Sequence, residues 1–323
     1  MHWATIILLT DAAHIFIIMF FQTLCTTKKE FSMKKILVPV DFSATAENAA
    51  DYATDLAYGI GARVELLNVF QVPEFSPAAA SLVWPLEEYQ LIEDDAKKAL
   101  EKLVERVEEK YKKAHDELGF KAEVFGRSVR GKVDQEVYKY FTACKMNLAV
   151  IGLNSAGKLS KLFVGSKARK MIECQIPLLL IPATCQFKKP KKIAFATDFS
   201  HSDIPVLCAL AEFAKPFNAD ILIMHTGNPT SSPEDSKQNT EDFLNRVADR
   251  VNYRHIYHRH VHSERIKEGL DWIVENGQID ILAMVHRKHD FFYRLINGSY
   301  TLNMSDHIQI PLLVLPPEHM VPM

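Results

Sequence analysis

A glycine-bracketed basic loop is the part of the sequence whose residue types are best suited to chemistry. Between positions 153 and 170 the chain carries five lysines and arginines and no aspartate or glutamate. Glycine lets the backbone approach a ligand closely, and the free amides and positive dipole at a helix start attract anions. This composition predicts a phosphate-binding loop that follows a strand. Gly152 and Gly165 bracket the loop, and Ser166 offers a hydroxyl at the expected helix start.

The same loop matches part of the P-loop of nucleoside triphosphatases. Gly152 and the pair Gly157-Lys158 have the spacing of that motif, but Leu159 stands where Ser or Thr would bind magnesium. The expected helix also begins near Gly165 and not directly after the lysine. These departures argue against a P-loop enzyme. Taken alone, the loop is also compatible with an ordinary connection that carries surface lysines.

The chain contains two copies of one pattern. The segment 34–43, which reads KKILVPVDFS, returns 157 positions later at 191–200 as KKIAFATDFS. The Gly-Ser pair at 165–166 returns at 298–299, and the segment IPLL occurs near the end of each copy. Self-similarity over such a distance indicates two copies of one domain, not a short-period solenoid.

The second copy lacks the loop glycines of the first. Counted back from Gly298, the positions of Gly152 and Ser155 are held by Val285 and Lys288. A β-branched residue and a lysine would crowd a site where backbone must touch phosphate. We therefore expect the second copy not to bind ATP, with Lys288 in the position of a phosphate.

Apolar runs alternate with helical patterns in both copies, which predicts parallel sheets with right-handed crossovers. Residues 36–40 are apolar without alternation, as in a strand that is buried on both faces. Ser43 and Ser200 are candidate helix caps, and Gly59 and Gly61 should end the first helix. The expected strands are 36–40, 64–69, 121–125, 148–151, 178–181, 193–197, 220–225, 254–260, 279–285 and 311–315. The expected helices begin after Ser43 and at Ser166 and also lie at 87–118, 132–144, 203–216, 234–251, 263–276 and 299–307.

The combined pattern resembles the universal stress protein (UspA-like) family over residues 33–317. It rests on the strand end Val40-Asp41, the IPLL segments and a loop of form G-x2-G-x9-G-[S/T], in which Ser155 replaces one glycine. The resemblance implies an α/β fold with two Rossmann-like, doubly wound domains. Each domain would hold a five-stranded parallel sheet of order 3-2-1-4-5, flanked by helices.

The resemblance also implies an adenine nucleotide across the strand ends of the first domain. ATP is the expected ligand, or else AMP or ADP, with or without Mg²⁺. Asp41 and Val69 would lie near the base and ribose, and the phosphates would lie on the glycine-bracketed loop. The expected nucleotide-binding residues are Pro39, Val40, Asp41, Val69, Ile151, Gly152, Asn154, Ser155, Gly165, Ser166 and Lys167.

The expected first domain spans residues 33–183 and the second spans 191–317, with a short boundary segment between them. Both last strands are apolar, and an apolar strand edge should not stay exposed. Members of the family pair through the last strand. We therefore expect the two domains of one chain to pair with each other, and a homodimer is a further expectation.

A cytoplasmic, ATP-binding stress-response protein is the function that the resemblance implies, as a sensor or regulator and not as a fast catalyst. A scaffold that binds a protein partner without nucleotide is one alternative, which Ser155 and the altered second loop suggest. A slow ATP hydrolase is another, although a magnesium-binding Ser/Thr–Asp pair for efficient turnover is lacking.

Composition argues against two classes of partner and points to one compartment. A formal net charge of -2 provides no global attraction to nucleic acid or to an anionic membrane. The five cysteines are scattered without a C-x-x-C motif, which is typical of a reducing compartment.

An apolar segment, residues 1–32, precedes the first copy. It is long enough to span a membrane, and the lysines after it would keep the domains in the cytoplasm. Asp11 and His14 lie within it, however, and the basic residues that a secretory signal requires do not precede it. We expect translation to begin at Met33, which opens directly into a strand. A membrane anchor is the alternative, and a membrane partner is expected only in that case.

Two other groups of polar residues are weaker candidates. His258, His260 and His262 alternate along a strand and could bind zinc, but this strand should be a sheet edge, where polar residues discourage strand addition. Asp41 and Asp198 could act as general bases, but neither is accompanied by a nucleophile or a second carboxylate. We expect neither a metal site nor a catalytic residue.

Overall fold

Strands and helices alternate along the first copy and along the second copy up to residue 260 in the computed structural model, which describes residues 34–71, 86–115, 123–153, 166–200, 202–225, 233–260, 278–287 and 310–317. The elements of the first copy are β1 (Lys34–Val40), α1 (Ala44–Ile60), β2 (Ala62–Phe70), α2 (Leu86–His115), β3 (Val124–Arg130), α3 (Val133–Ala143), β4 (Leu148–Leu153), α4 (Ser166–Glu173) and β5 (Leu178–Pro182). Those of the second are β6 (Lys192–Ala196), α5 (Asp203–Ala214), a 3-10 turn (Lys215–Phe217), β7 (Asp220–His225), α6 (Pro233–Arg250), β8 (Ile256–His260), β9 (Ile281–Val285) and β10 (Leu312–Leu315).

The described strands form one sheet in the order β3-β2-β1-β4-β5-β10-β9-β6-β7-β8. Within each copy the neighbouring strands are parallel and follow the order 3-2-1-4-5, which confirms the predicted fold class. At the centre of the sheet β10 lies antiparallel to β5, with Leu313 opposite Leu179. The strand β8 is the last in the order, as predicted for a sheet edge.

Helices cover both faces of the sheet in the first copy. On one face α1 and α2 pack over alternate strand residues such as Val38. On the other face α3 and α4 pack over the remaining strand residues, such as Leu37. Because both faces are buried, β5 and the part of β1 from Ile36 onward are apolar runs without a polar alternation.

Local signals at both ends of α1 are confirmed. The Ser43 hydroxyl caps the helix by accepting a hydrogen bond from the amide of Ala46 at 3.3 Å. Gly61 ends the helix with a φ of 66°, a left-handed conformation that residues with a Cβ rarely adopt.

The predicted strand at 121–125 is wrong, because the third strand covers Val124–Arg130. Its residues pair along β2, from Val64 opposite Val124 to Phe70 opposite Arg130. The strand is the first in the sheet order, and four of its seven residues are exposed. An edge strand of this kind lacks the continuous apolar run by which buried parallel strands are recognised.

The prediction that Ser200 caps the helix of the second copy is also wrong. The helix α5 begins at Asp203, and Ser202 occupies the cap position without a side-chain cap hydrogen bond. At the 157-residue offset between the copies, α5 starts two residues later than α1. The Ser200 Oγ instead lies 3.1 Å from the Ser202 Oγ.

Several predicted segments lie outside the described residues. They include the apolar segment 1–32 and the helices at 263–276 and 299–307. Among the helices that the structure describes, none is both long and apolar enough to cross a membrane.

Candidate functional site

The carboxyl ends of β1 and β4 meet at the point where the strand order reverses. The strands are neighbours in the sheet, and the helices that follow them pack on opposite faces, α1 with the first core cluster and α4 with the second. A crevice opens at such a switch point, and ligands of doubly wound folds bind there.

Three predicted site residues lie on one face of the sheet beside this point. Leu37, Leu67 and Ala149 belong to the core cluster under α3 and α4. Two positions further along their strands, Pro39, Val69 and Ile151 therefore point to the same face. All three are half-buried, whereas Leu37, Leu67 and Ala149 are buried. We call these three residues the apolar platform.

Asp41 lies directly after β1 and organises the turn into α1. Its Oδ1 accepts hydrogen bonds from the Ser43 amide at 3.2 Å and the Ser43 hydroxyl at 2.6 Å. The intervening Phe42 has a φ of 59°, in the left-handed region. The turn leaves the Asp41 residue exposed at the strand end, where a ligand could reach its carboxylate.

Asn68 is a polar residue of the site that the sequence analysis missed. It is buried, and its Nδ2 donates to the carbonyl oxygen of Val40 at 3.0 Å. Its Oδ1 accepts from the Ser128 hydroxyl at 3.1 Å. These bonds tie the carboxyl ends of β1, β2 and β3 together. The available signal was an asparagine within the otherwise apolar run 66–70 of β2, because a buried amide needs hydrogen-bond partners.

Gly152 lies where β4 passes the first turn of α1. A Cβ at this position would lie 2.2 Å from the carbonyl oxygen of Thr45. A glycine is therefore required for the helix to pack against the strand, whether or not a ligand is present.

The structure brings part of the predicted site together. Pro39, Val40, Asp41, Val69, Ile151 and Gly152 lie at the carboxyl ends of three adjacent strands. Ser166 and Lys167 begin α4, which follows the loop after β4. The remaining predicted residues, Asn154, Ser155 and Gly165, lie outside the described residues.

Metal ligands are not grouped in the described part of the chain, where no three His, Cys, Asp or Glu residues could hold an ion together. Of the three alternating histidines, His258 and His260 belong to β8, and His262 lies outside the described residues.

A family model for universal stress proteins matches residues 33–182 and matches again at 189–316. The chain belongs to the universal stress protein family. A curated universal stress protein of Methanocaldococcus jannaschii is 28% identical over 160 residues, which cover 49% of this chain and 84% of that protein.

Solved universal stress proteins share the fold. A structure from Archaeoglobus fulgidus has a TM-score of 0.64 at 18% identity and covers 89% of this chain and 100% of its own. One from Pseudomonas aeruginosa has a TM-score of 0.55 at 12% identity and covers 88% of this chain and 94% of its own. At these identities the likeness establishes the tandem fold alone.

The second universal stress domain carries an ion-pair cluster at its strand ends. Arg287, two residues after β9, donates from Nη1 to Asp198 Oδ1 at 2.7 Å and from Nη2 to the Ser202 hydroxyl at 2.9 Å. The Nη2 also donates to Asp203, whose other oxygen accepts from the Thr197 hydroxyl. We call these five residues the Arg287 cluster. Lys288, which was expected to take the position of a phosphate, lies outside the described residues.

Burial is the largest influence on the pKa of the Asp203 carboxyl. The residue is 0% exposed, and this loss of solvent raises the pKa of its carboxyl to about 6, against the hydrogen bond from Thr197 and the charge of Arg287. The nearby Asp198 carboxylate raises the pKa further. A carboxylate this deeply buried requires a cation beside it when ionised.

The second universal stress domain keeps the tie between its first two strands with a different residue. His225 stands 157 positions after Asn68, and its Nδ1 lies 3.1 Å from the carbonyl oxygen of Thr197. Its ring also stacks on Phe199, with 4.0 Å between the ring centroids. Both domains therefore hold the end of the central strand through a side chain of its neighbour.

Proposed function

We propose that this universal stress protein binds one adenine nucleotide in its first domain and acts as a stress-response sensor or regulator. The observation that supports the proposal best is the apolar platform of Pro39, Val69 and Ile151. It lies at the strand-order switch point, beside the exposed residue Asp41. Half-buried apolar side chains next to a carboxylate suit a flat base joined to a hydroxyl-bearing sugar.

The base of the nucleotide would lie on the apolar platform, and the ribose hydroxyls would donate to the Asp41 carboxylate. The phosphates would then extend along the loop from Gly152 to the start of α4 at Ser166 and Lys167. This direction agrees with charge, because the only charged residues from 153 to 170 are basic. A helix start also presents free amides to an anion. ATP, or AMP or ADP, fits this arrangement, with or without Mg²⁺ on the phosphates.

The two domains would divide the work. The first, over 33–183, would bind the nucleotide, whereas the second, over 191–317, has Val285 in the place of Gly152. The antiparallel contact of β5 with β10 would keep the domains paired in solution. A cytoplasmic location agrees with the free thiols of the four cysteines in the described part of the chain.

Mass spectrometry of nucleotide released from the purified chain, together with calorimetric titration, tests the proposal. We expect close to one ATP or AMP per chain. Gly165→Val should abolish binding, and Gly298→Val, the matched change in the second domain, should leave it intact. Absence of released nucleotide and of any titratable binding would favour a scaffold without nucleotide. Retained affinity in Gly165→Val would refute the assigned phosphate loop.

A further inference from the structure

Two positions near the carboxyl ends of β6 and β9 carry charged residues, whereas the equivalent positions in the sequence of the first domain carry neutral ones. At the offsets between the copies, Arg287 stands in the place of Asn154 and Asp203 in the place of Ala46. Asp203 is fully buried, and the Arg287 side chain is 19% exposed. An acid and a base have therefore been added together in the space between β6, α5 and β9.

The guanidinium of Arg287 connects three segments that meet at this position. It reaches Asp198 after β6, Ser202 and Asp203 at the start of α5, and lies itself after β9. A ligand bound at a switch point would contact the same three segments. The side chain therefore makes, from within the chain, the connections that a ligand would make.

The local charge is unfavourable for phosphate. Arg287 carries one positive charge, and Asp198 and Asp203 carry two negative charges when both are ionised. The guanidinium is already occupied by two carboxylates, so it has little attraction left for an anion. A phosphate that approached would meet a net negative cluster.

The backbone around the cluster also differs between the two domains. In the first domain Gly152 allows the first turn of α1 to lie against β4. Val285 has the Cβ that this packing excludes, and α5 begins two residues later, at Asp203. Ser202, the counterpart of Thr45, thus lies outside the helix and turns its hydroxyl to Arg287.

We propose that Arg287 is an internal ligand of the second domain, which occupies its strand-end site permanently and closes it to nucleotide. This inference concerns the second domain and does not depend on whether the first domain binds. It assigns a function to a pair of residues that differ between the copies, and it predicts that the second domain is ordered without any added ligand.

A double-mutant cycle tests whether the pair acts as one unit. Arg287→Asn and Asp203→Ala restore the residues that the first domain has at these positions. We expect Arg287→Asn to lower the urea midpoint far more than Arg254→Ala, a change at an exposed arginine, because it leaves a buried carboxylate unpaired. The double variant should recover much of that loss. If Arg287→Asn does not fold, folding of the double variant is the supporting result. Losses that simply add would overturn the proposal.

Hydrogen exchange of the wild-type chain with and without ATP tests whether the site is closed. We expect slow exchange at 197–200 and 285–287 already without nucleotide, and no change when ATP is added. ATP-dependent protection in those two segments would overturn the internal-ligand proposal. Failure of the nucleotide-binding proposal has a separate signature, which is unchanged exchange at 40–46 and 151–153 in the first domain.

Discussion

Arg287 and Asp198 meet with 2.7 Å between Nη1 and Oδ1, although 89 positions separate them in the chain. Asp41, the counterpart of Asp198, accepts a hydrogen bond from its local neighbour Ser43 at 2.6 Å. One strand-end carboxylate thus has a distant cation as partner, and the other has a nearby hydroxyl. The two positions correspond in sequence but have different partners. A variant in one domain can therefore be controlled by the matched variant in the other.

Removal of the Ser43 cap should destabilise the first domain. Ser43→Ala deletes the hydroxyl that accepts from the Ala46 amide, and loss of such a cap costs about 1 kcal/mol. Urea unfolding followed by circular dichroism measures the change. Ser200→Ala is the matched control and should have a smaller effect, because Ser200 does not cap α5. Equal losses in both variants would contradict the assigned cap.

A methyl group at Gly152 should be far more harmful than its size suggests. Gly152→Ala places a Cβ 2.2 Å from the Thr45 carbonyl oxygen, and overpacking of this kind costs roughly 1–3 kcal/mol or more. Gly61→Ala is the control, since its Cβ would meet nothing within 4 Å and only the left-handed φ is penalised, by about 1 kcal/mol. A milder effect at Gly152 than at Gly61 would argue against the close approach of α1 and β4.

The Asn68 side chain should contribute through its two hydrogen bonds. Asn68→Ala leaves the buried Val40 carbonyl and the Ser128 hydroxyl without these partners, and the expected cost is about 1–3 kcal/mol. Ser128→Ala is the matched change, because it removes the second bond and preserves the first. It should cost clearly less in the free energy of unfolding. The reverse order would show that the bond to Val40 is unimportant.

Asp203 should make stability depend on pH in the acid range. Its pKa in the folded chain is raised by burial to about 6, above the ordinary value of 3.8, so the folded state binds the proton more tightly than the unfolded state. The resulting stabilisation is present at low pH and is lost as pH rises through about 6. A shift of this size corresponds to at most about 3 kcal/mol.

Asp203→Asn isolates this contribution, because the amide does not titrate. Between pH 4 and pH 7 the free energy of unfolding of the wild type should fall relative to that of Asp203→Asn. Asp198→Asn provides a control at a more exposed carboxylate of the same cluster. A constant difference between wild type and Asp203→Asn across this range would contradict the raised pKa.

The sequence predicted a strand correctly where both of its faces are buried, because such a strand is a continuous apolar run. Apolar runs such as those in β1 and β5 located the buried strands, and the family resemblance supplied the order of the strands. The third strand was misplaced because an exposed edge strand has polar residues such as Arg127 and Ser128, which resemble a loop. The start of α5 at Asp203 was predicted correctly. The cap was misassigned because Ser200 repeats Ser43 in sequence, whereas Ser202 occupies the cap position.

The Arg287 cluster escaped sequence analysis for a related reason. Its members come from segments that are more than eighty positions apart, so no local spacing reveals it. A signal was nevertheless present. Asp203 lies in an otherwise apolar helix start and replaces Ala46 of the first copy, and a buried acid requires a partner elsewhere.

The antiparallel join of β5 and β10 makes the strands of the second domain run opposite to those of the first. Since each domain is parallel within itself, the carboxyl ends of β1 and β4 lie at one edge of the sheet, and those of β6 and β9 lie at the opposite edge. Under the proposals made above, the edge with Gly152 would change when nucleotide binds, whereas the edge with Arg287 would not. A partner protein that binds at both edges would therefore contact one surface that depends on bound nucleotide and one surface that does not.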